Sequence, residues 1–268
     1  MFKISKKFRY AYKNADKSSF IVYFVLRTLV LVTLVRHIFL GNWENVFVCI
    51  LSLILFLAPF FVEKTFKINI PSTLEIIILC FIFSAEILGE INNFYVTIPH
   101  FDTLLHTLNG FLCAGIGFSL VDLLNENSKN FKLSPLFVSI VAFCFSMTIG
   151  VLWEFFEYGA DNILKTDMQK DRIINVVTSV NFDTENSKPL TIDNIYKTTI
   201  YDKTGKELIS IDGYLDIGII DTMKDLIVNF VGAICFSIFG FLYITNRERF
   251  NFVKKFIPTK QLKVIKED

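Results

Sequence analysis

The chain lacks an excess of charge of either sign, and its cysteines lack the spacing of a metal site or a redox pair. Lys and Arg number 27 and Asp and Glu number 26, a formal net charge of +1, so the charge balance gives no indication of nucleic-acid binding. No two of the five cysteines have the short spacing that a zinc site or a redox pair requires. Each lies in a different apolar segment, and we interpret all five as small buried hydrophobic residues: Cys49, Cys80, Cys113, Cys144 and Cys235.

Several enzyme motifs are also missing. The sequence contains no phosphate-binding loop, no nucleophile elbow and no zinc-protease helix. It is instead rich in apolar residues, which make up 53% of the 268 positions, with 15% aromatic residues and 30 Phe. A soluble domain of this length carries fewer. The composition therefore predicts an integral membrane protein.

Six apolar segments are long enough to cross a bilayer, given that a helix needs about 20 residues for a hydrocarbon core of about 30 Å. The first is too long for a signal-peptide core and has no small-residue cleavage site after it, so we expect it to remain as an anchor. The predicted fold is an all-α polytopic membrane protein with six transmembrane helices. The segments are 20–40, 46–62, 72–91, 103–124, 134–158 and 219–245.

Lys and Arg are concentrated in the termini and in alternate loops between the helices. This distribution predicts how the chain is oriented in the membrane. Six precede the first helix, two follow the second, two follow the fourth and seven follow the sixth, whereas the loops after the first and third helices have none. Positive residues are retained on the cytoplasmic side, so both termini are expected there. The predicted domains are a basic cytoplasmic arm (1–19), helices one to five (20–162), an extracytoplasmic insert (163–218), helix six (219–245) and a basic cytoplasmic tail (246–268).

The insert is the one long polar stretch. Within it, "LTIDNIYKTTIYDKTGKELISI" contains two β-prone runs around the turn "DKTG", which predicts a β-hairpin. One hairpin alone is marginally stable. We therefore expect the insert to pack as a cap on the outer helix ends.

Alternating helix directions place acidic and imidazole side chains of four segments at one level, near the outer face. They come from the end of the third helix, from "FDTLLHTLNG", from "WEFFEYGAD" and from "DTMKDLIVNF". In the last three, the polar residues recur at i, i+3 or i+4 and share one helix face. Ionisable groups in membrane segments face a bundle interior or a wet cavity, so the faces are expected to converge. The predicted polar site comprises Glu86, Asp102, His106, Glu154, Glu157, Asp161, Asp221, Asp225 and Asn229.

Simpler roles are open to some of these residues. Asp102 and Asp221 stand where a helix N-cap belongs. Asp161, like Glu90 and His100, is expected in interfacial water, and Asp122 is expected to be solvated near a cytoplasmic end. No cap explains the deeper set, for which a functional role is favoured over a purely structural network: His106, Glu154, Glu157, Asp225 and Asn229.

Crowded carboxylates raise one another's pKa unless another charge balances them. The balance could come from shared protons, from ion pairs with Arg36, Lys224 or the insert, or from a divalent metal. Mg, Mn, Fe and Zn all accept oxygen ligands with imidazole, and helix bundles assemble such sites from i, i+3 and i, i+4 pairs. The predicted metal ligands are Asp102, His106, Glu154, Glu157 and Asp225.

Each arrangement predicts a different function, and whether the protein is an enzyme stays open here. A bound metal would indicate hydrolysis or group transfer on an envelope lipid or glycolipid in the outer leaflet. Glu157 is then the predicted base, and the further catalytic candidates are Glu154, His106 and Asp225. Shared protons predict a proton- or cation-coupled transporter, although no internal repeat favours one. A non-enzymatic envelope or partner-binding protein would recognise its partner through the insert.

Three motifs also resemble a known family. "FDTLLHTLNG", "WEFFEYGADNILKTDMQKD" and "GYLDIGIIDTMKDLIVNFVGA" are similar to the YjdF-like family of uncharacterised bacterial membrane proteins and, more loosely, to the VanZ-like family linked to glycopeptide resistance. The resemblance implies a bacterial plasma membrane and a role in the cell envelope, but names no reaction. Position by position, it marks Asp102, His106, Glu154, Glu157, Asp161, Asp221, Asp225 and Asn229.

Overall fold

The computed structural model describes residues 17–127, 132–185 and 187–260. The rest of the predicted N-terminal arm and the last residues of the tail lie outside this range. Within it, five helices are long and apolar enough to cross a membrane. They are Lys17–Leu40 (α1), Trp43–Phe66 (α2 and α3 together), Phe101–Asn127 (α6), Pro135–Leu164 (α7) and Ile219–Thr245 (α8).

A proline divides the second span. It consists of α2 (Trp43–Leu55) and α3 (Ala58–Phe66), with Pro59 in the first turn of α3. Proline has no N–H to donate, and its ring would clash with the carbonyl four residues earlier, which belongs to Leu55. The helix therefore ends at that point and restarts with Pro59 in a position that tolerates it.

The third predicted segment is helical from end to end but does not qualify as a sixth span. A 12-residue α-helix, α4 (Ser72–Phe83), passes directly into an eight-residue π-helix, Ser84–Ile91. At about 1.5 Å per residue, α4 covers only about 18 Å of a hydrocarbon core of about 30 Å. The expected sixth transmembrane helix therefore stays a prediction, for which α4 and the π-helix would have to cross together. A four-residue helix, α5 (Phe94–Thr97), follows it.

A small apolar core around Leu74 and Leu112 joins α4 to α6, and two larger apolar cores hold the described helices together. One joins α6, α7 and α8, where Phe118 and Phe236 are fully buried with ring centroids 5.9 Å apart. The other joins α1, α2, α4 and the π-helix through Val30, Cys49 and Leu79. Elsewhere many large apolar side chains point outward, as expected of helices that contact lipid.

A buried ion pair fixes the end of α6 to the end of α8. Asp122 is 4% exposed, and Arg247 Nη2 donates to both of its carboxylate oxygens at 2.8 and 3.0 Å. The Arg247 guanidinium also lies 4.9 Å from the Tyr243 ring centroid. The expectation that Asp122 is solvated was wrong, because a cation on the C-terminal side of α8 reaches it.

Contacts divide the chain into two compact units. The first comprises the residues up to Leu152 and those from Asp225 onward, and the second is Trp153–Lys224. The second unit extends beyond the predicted insert at both ends. Its boundaries fall inside α7 and α8.

The described residues also form short strands, so the chain is mostly helical rather than all-α. In the second unit, β2 (Ile173–Ile174) pairs with β7 (Tyr214–Leu215), β3 (Val177–Ser179) with β4 (Leu190–Ile192), and β5 (Thr198–Tyr201) with β6 (Glu207–Ile211), all antiparallel. The last pair flanks the turn beginning at Asp202. In the first unit, β1 (Ile68–Asn69) pairs with β8 (Thr259–Lys260). Thr, Ile, Val and Tyr dominate these strands, as β-propensity predicts.

Candidate functional site

Three of the predicted polar residues converge in the first unit. Asp102 lies in the first turn of α6, and His106 lies one turn further on the same face. His106 Nε2 is 3.4 Å from Asp102 Oδ1 and 3.5 Å from Asp225 Oδ2, which reaches it from the second turn of α8. One ligand atom from each residue lies within 4.8 Å of the other two.

Burial distinguishes the three side chains. The Asp225 side chain is 3% exposed, whereas those of His106 and Asp102 are 15% and 17% exposed. The group therefore has a closed side at Asp225 and an open side at the beginning of α6. An ion or a small polar group could reach the imidazole from the open side.

The two distances can be compared with those of hydrogen bonds and of metal sites. A charge-assisted N–H···O bond is about 2.7–2.9 Å long, well below the observed 3.4 and 3.5 Å. In a tetrahedral zinc site with bonds of about 2.0–2.1 Å, the ligand atoms lie about 3.3 Å apart. Three protein ligands with a fourth position open are typical of catalytic rather than structural zinc sites.

Reciprocal glycines bring α6 and α8 close enough for this geometry. A Cβ at Gly110 would clash with the backbone oxygen of Asn229, and a Cβ at Gly232 would clash with the backbone oxygen of Thr107. Small residues at a crossing let two helix backbones approach closely. Gly159 has no such role, because a Cβ there would meet none of the described residues within 4 Å.

Deeper in the bundle, Asn229 belongs to a helix-packing network. Its side chain is 1% exposed, and its Oδ1 accepts a 3.0 Å hydrogen bond from Asn109 Nδ2. Its Nδ2 lies 3.6 Å from Met147 Sδ. Sequence reasoning missed Asn109, although its position three residues after His106 put it on the same face of α6. These contacts give Asn229 a structural role between helices.

Glu154 and Glu157 belong to the second unit. They are 5% and 8% exposed, and Glu157 Oε1 accepts a 2.7 Å hydrogen bond from Trp153 Nε1. That bond, within one helical turn, orients the Glu157 carboxylate. Both residues are as buried as the sequence predicted for the inner set, and their catalytic and metal-binding roles stay predictions.

Asp161 and Asp221 anchor one segment of the second unit. Asp161 accepts hydrogen bonds from the backbone N–H groups of Met168 and Gln169 at 2.7 and 2.9 Å. Asp221 accepts a 3.1 Å bond from the Arg172 guanidinium. Instead of preceding the helix as a cap, Asp221 is the third residue of α8, and Asp216 Oδ2 accepts from the Ile220 N–H at 2.8 Å. The expectation that Asp161 lies in interfacial water did not include its hydrogen bonds with Met168 and Gln169.

Glu86 lies outside the three-residue group. It sits in the π-helix and is 2% exposed. Of the nine predicted residues, the structure thus joins Asp102, His106 and Asp225 at one point and places Asn229 in the network next to them.

Comparison with known proteins identifies the family of the chain. The sequence profile of a family described as predicted membrane protein, DUF2238, matches residues 20–186. The chain belongs to this family. The range matched by DUF2238 includes Asp102 and His106, whereas Asp225 lies beyond it. The expectation of an uncharacterised membrane-protein family is confirmed, while the likeness to VanZ-like proteins stays a resemblance.

One curated relative is itself uncharacterized. An uncharacterized protein of Thermotoga maritima is 29% identical over 107 residues, which are 40% of this chain and 54% of the relative. The chain thus spans about half the length of the curated relative it matches. No solved structure matches the chain.

Proposed function

We propose that the protein binds a divalent metal through Asp102, His106 and Asp225 and uses it for hydrolysis or group transfer on an envelope lipid or glycolipid. The observation that carries the proposal is the placement of one imidazole nitrogen 3.4 and 3.5 Å from two carboxylates on different helices. Mg, Mn, Fe and Zn are the metals that such a donor set suits.

Each residue has a defined part in this proposal. Asp225, the most buried, supplies negative charge that favours a cation, and Asp102 does the same from the open side. His106 presents Nε2 as its ligand atom, so it binds as the neutral imidazole. A bound divalent metal supplies Lewis-acid polarisation and a nucleophile from water at neutral pH.

Glu157 stays the predicted base of this reaction, and Glu154 stays a further catalytic candidate. The bond from Trp153 holds one Glu157 oxygen in place, which suits a group that must accept a proton in a fixed direction. Glu157→Gln is expected to abolish turnover while metal binding persists. If Glu157→Gln loses the metal instead, the residue is a ligand rather than a base.

The proposal places the protein in a bacterial plasma membrane with both termini cytoplasmic. The support is the concentration of Lys and Arg in alternate connections. In this arrangement the third segment crosses as a sixth helix through α4 and the π-helix together, and the metal centre faces the outer leaflet.

A metal titration of unfolding tests the binding step. Purified protein stripped of metal should gain about 2.7 kcal/mol of stability when the metal concentration is about 100 times its Kd. His106→Ala and Asp225→Asn should lose that gain. His100→Asn is the matched control, since His100 is exposed, has φ of 62° and should keep the gain. Stabilisation of His106→Ala equal to that of the parent would refute the assigned ligands.

A lipid assay tests the reaction. Protein in nanodiscs of bacterial total lipid should convert one lipid class when metal is added, as followed by mass spectrometry. His106→Ala should leave the lipids unchanged. Equal lipid profiles for the parent and the variant, in the presence of bound metal, would rule out turnover of these lipids.

The same cluster supports a second candidate, a proton- or cation-coupled transporter. The specific observation is that a single ring nitrogen, His106 Nε2, faces two carboxylates, so a small movement would let it pass a proton from one to the other. Proteoliposomes with an imposed pH gradient should then show a flux that Asp225→Asn abolishes. A gradient that decays equally with the parent and the variant counts against this candidate.

A further inference from the structure

A second polar position lies in the π-helix and is not a member of the Asp102–His106–Asp225 group. Glu86 is 2% exposed there, and its Oε2 has no hydrogen-bond partner in residues 17–127, 132–185 and 187–260. A buried carboxylate without compensation is strongly disfavoured, and the usual outcome is that the group takes up a proton. Runs of π-helix occur frequently at functional positions.

The elements that contact the π-helix most closely offer Glu86 no counter-charge, whereas α1, which shares an apolar core with the π-helix, carries Arg27, Arg36 and His37. The elements that pack most closely on the π-helix are α2, α4, α5 and α6, and none of these four described elements carries a Lys or Arg. Glu90, one turn further along the π-helix, is another carboxyl group and supplies no positive charge. Their other titratable residues are Glu44 and Cys49 on α2, Glu75 and Cys80 on α4, Tyr95 on α5, and Asp102, His106, Cys113, Asp122 and Glu126 on α6.

Packing on the same turn excludes water. Ile87 is 4% exposed, and the missing side chain of Gly89 lets the Tyr95 ring lie directly against the π-helix backbone. The Tyr95 ring in turn packs edge-on against Phe101, with centroids 5.7 Å apart. With Glu86 itself 2% exposed, this part of the π-helix is closed to solvent.

We propose that Glu86 is a proton-binding site: a carboxylic acid held in its protonated form inside the membrane domain, which releases and takes up one proton. The ligand is the proton itself, and the site is separate from the metal centre. An intramembrane carboxyl of this kind is the group that proton pathways use. The acid form also explains how Glu86 can lie beside Glu90 without a cation.

Carbodiimide labelling tests the proposal on the full-length protein in nanodiscs. Dicyclohexylcarbodiimide is apolar and reacts with the acid form of a carboxyl group. The carboxyl proton moves to a carbodiimide nitrogen, the carboxyl oxygen bonds to the central carbon, and an oxygen-to-nitrogen acyl shift leaves a stable N-acylurea. Peptide mapping by mass spectrometry then locates the adduct without relying on any variant.

The expected result is an adduct on Glu86 at about pH 6 that decreases toward about pH 9, because only the protonated form reacts. Glu86→Gln should lose the label and keep the parent unfolding temperature, since a neutral amide replaces a neutral acid. The matched control Glu90→Gln should keep the label on Glu86. An adduct on Glu90 instead, or an unlabelled Glu86 in the parent at about pH 6, would overturn the proposal. Neither outcome depends on metal, so the metal centre is tested separately.

Discussion

At the residue scale, buried polar side chains have unequal roles. Asn229 and Asn109 bond to each other across two helices, whereas His106 faces two carboxylates at distances too long for good hydrogen bonds. The first arrangement satisfies its own polar atoms and is expected to stabilise packing. The second is the arrangement on which the proposed metal centre depends.

The asparagine pair yields a stability prediction. Asn109→Ala and Asn229→Ala should each destabilise the protein, and a double-mutant cycle should give a coupling energy of about 0.6 kcal/mol, with about 1.7 kcal/mol as an upper value, as for other hydrogen bonds between membrane helices. Denaturant unfolding in mixed micelles measures it. Strictly additive effects would show that the bond contributes nothing to stability.

A pH prediction belongs to Asp202, in the turn between β5 and β6. The Thr204 hydroxyl donates to the Asp202 carboxylate at 2.6 Å, and the Thr204 and Lys206 N–H groups add bonds of 2.8 and 3.0 Å. These bonds, that of the Thr204 hydroxyl first, lower the pKa of Asp202. Stability from the carboxylate is thus complete above the unfolded pKa and is lost as pH falls through the lower folded pKa.

Amide hydrogen exchange measures this effect. At pH 7, Asp202→Ala should speed exchange at the Thr204 and Lys206 amides, because both lose their acceptor. The exposed Asp193 provides the control, and Asp193→Ala should leave those two amides unchanged. Equal exchange in Asp202→Ala and the parent would show that the carboxylate does not hold the turn.

At the element scale, the crossing of α6 and α8 positions the candidate site. Gly232→Ala should force the helices apart and cost about 1–3 kcal/mol, the range for overpacking a tight contact. Gly159→Ala is the matched control, since its Cβ would meet none of the described residues, and it should stabilise by about 0.5–1 kcal/mol through helix propensity. Unfolding free energies in detergent compare the two. A neutral Gly232→Ala would contradict the close crossing.

Some elements could be predicted from sequence because their signals are local. Helix α8 has the predicted bounds, Ile219–Thr245, and the i, i+4 spacing of Asp102 and His106 put them on one face. The break at Pro59 also has a local signal, because proline interrupts a helix. The π-helix has no comparable sequence signal, because its i→i+5 pattern depends on packing.

Long-range contacts account for the remaining differences. Asp161 and Asp221 bind backbone and side-chain donors in residues 168–172, and no spacing rule connects them to that segment. The Arg247–Asp122 pair joins residues 125 positions apart. Asn109 was predictable, since it lies on the predicted polar face.

At the scale of the whole molecule, topology decides which side of the membrane the candidate site faces. A reporter fused near Lys203, in the turn between β5 and β6, should read as extracytoplasmic, and one fused after Lys260 should read as cytoplasmic. The alternate concentration of Lys and Arg is the reason. A cytoplasmic reading near Lys203 would remove the outer leaflet from the proposal.

Metal content tests the central claim most directly. Elemental analysis of protein purified from native membranes without chelators should give about one divalent ion per chain, as expected for one three-ligand centre with an open position. Asp225→Asn should reduce that content to background, while His100→Asn should retain it. A folded parent protein without Mg, Mn, Fe or Zn, either as purified or after exposure to each metal, would contradict the account.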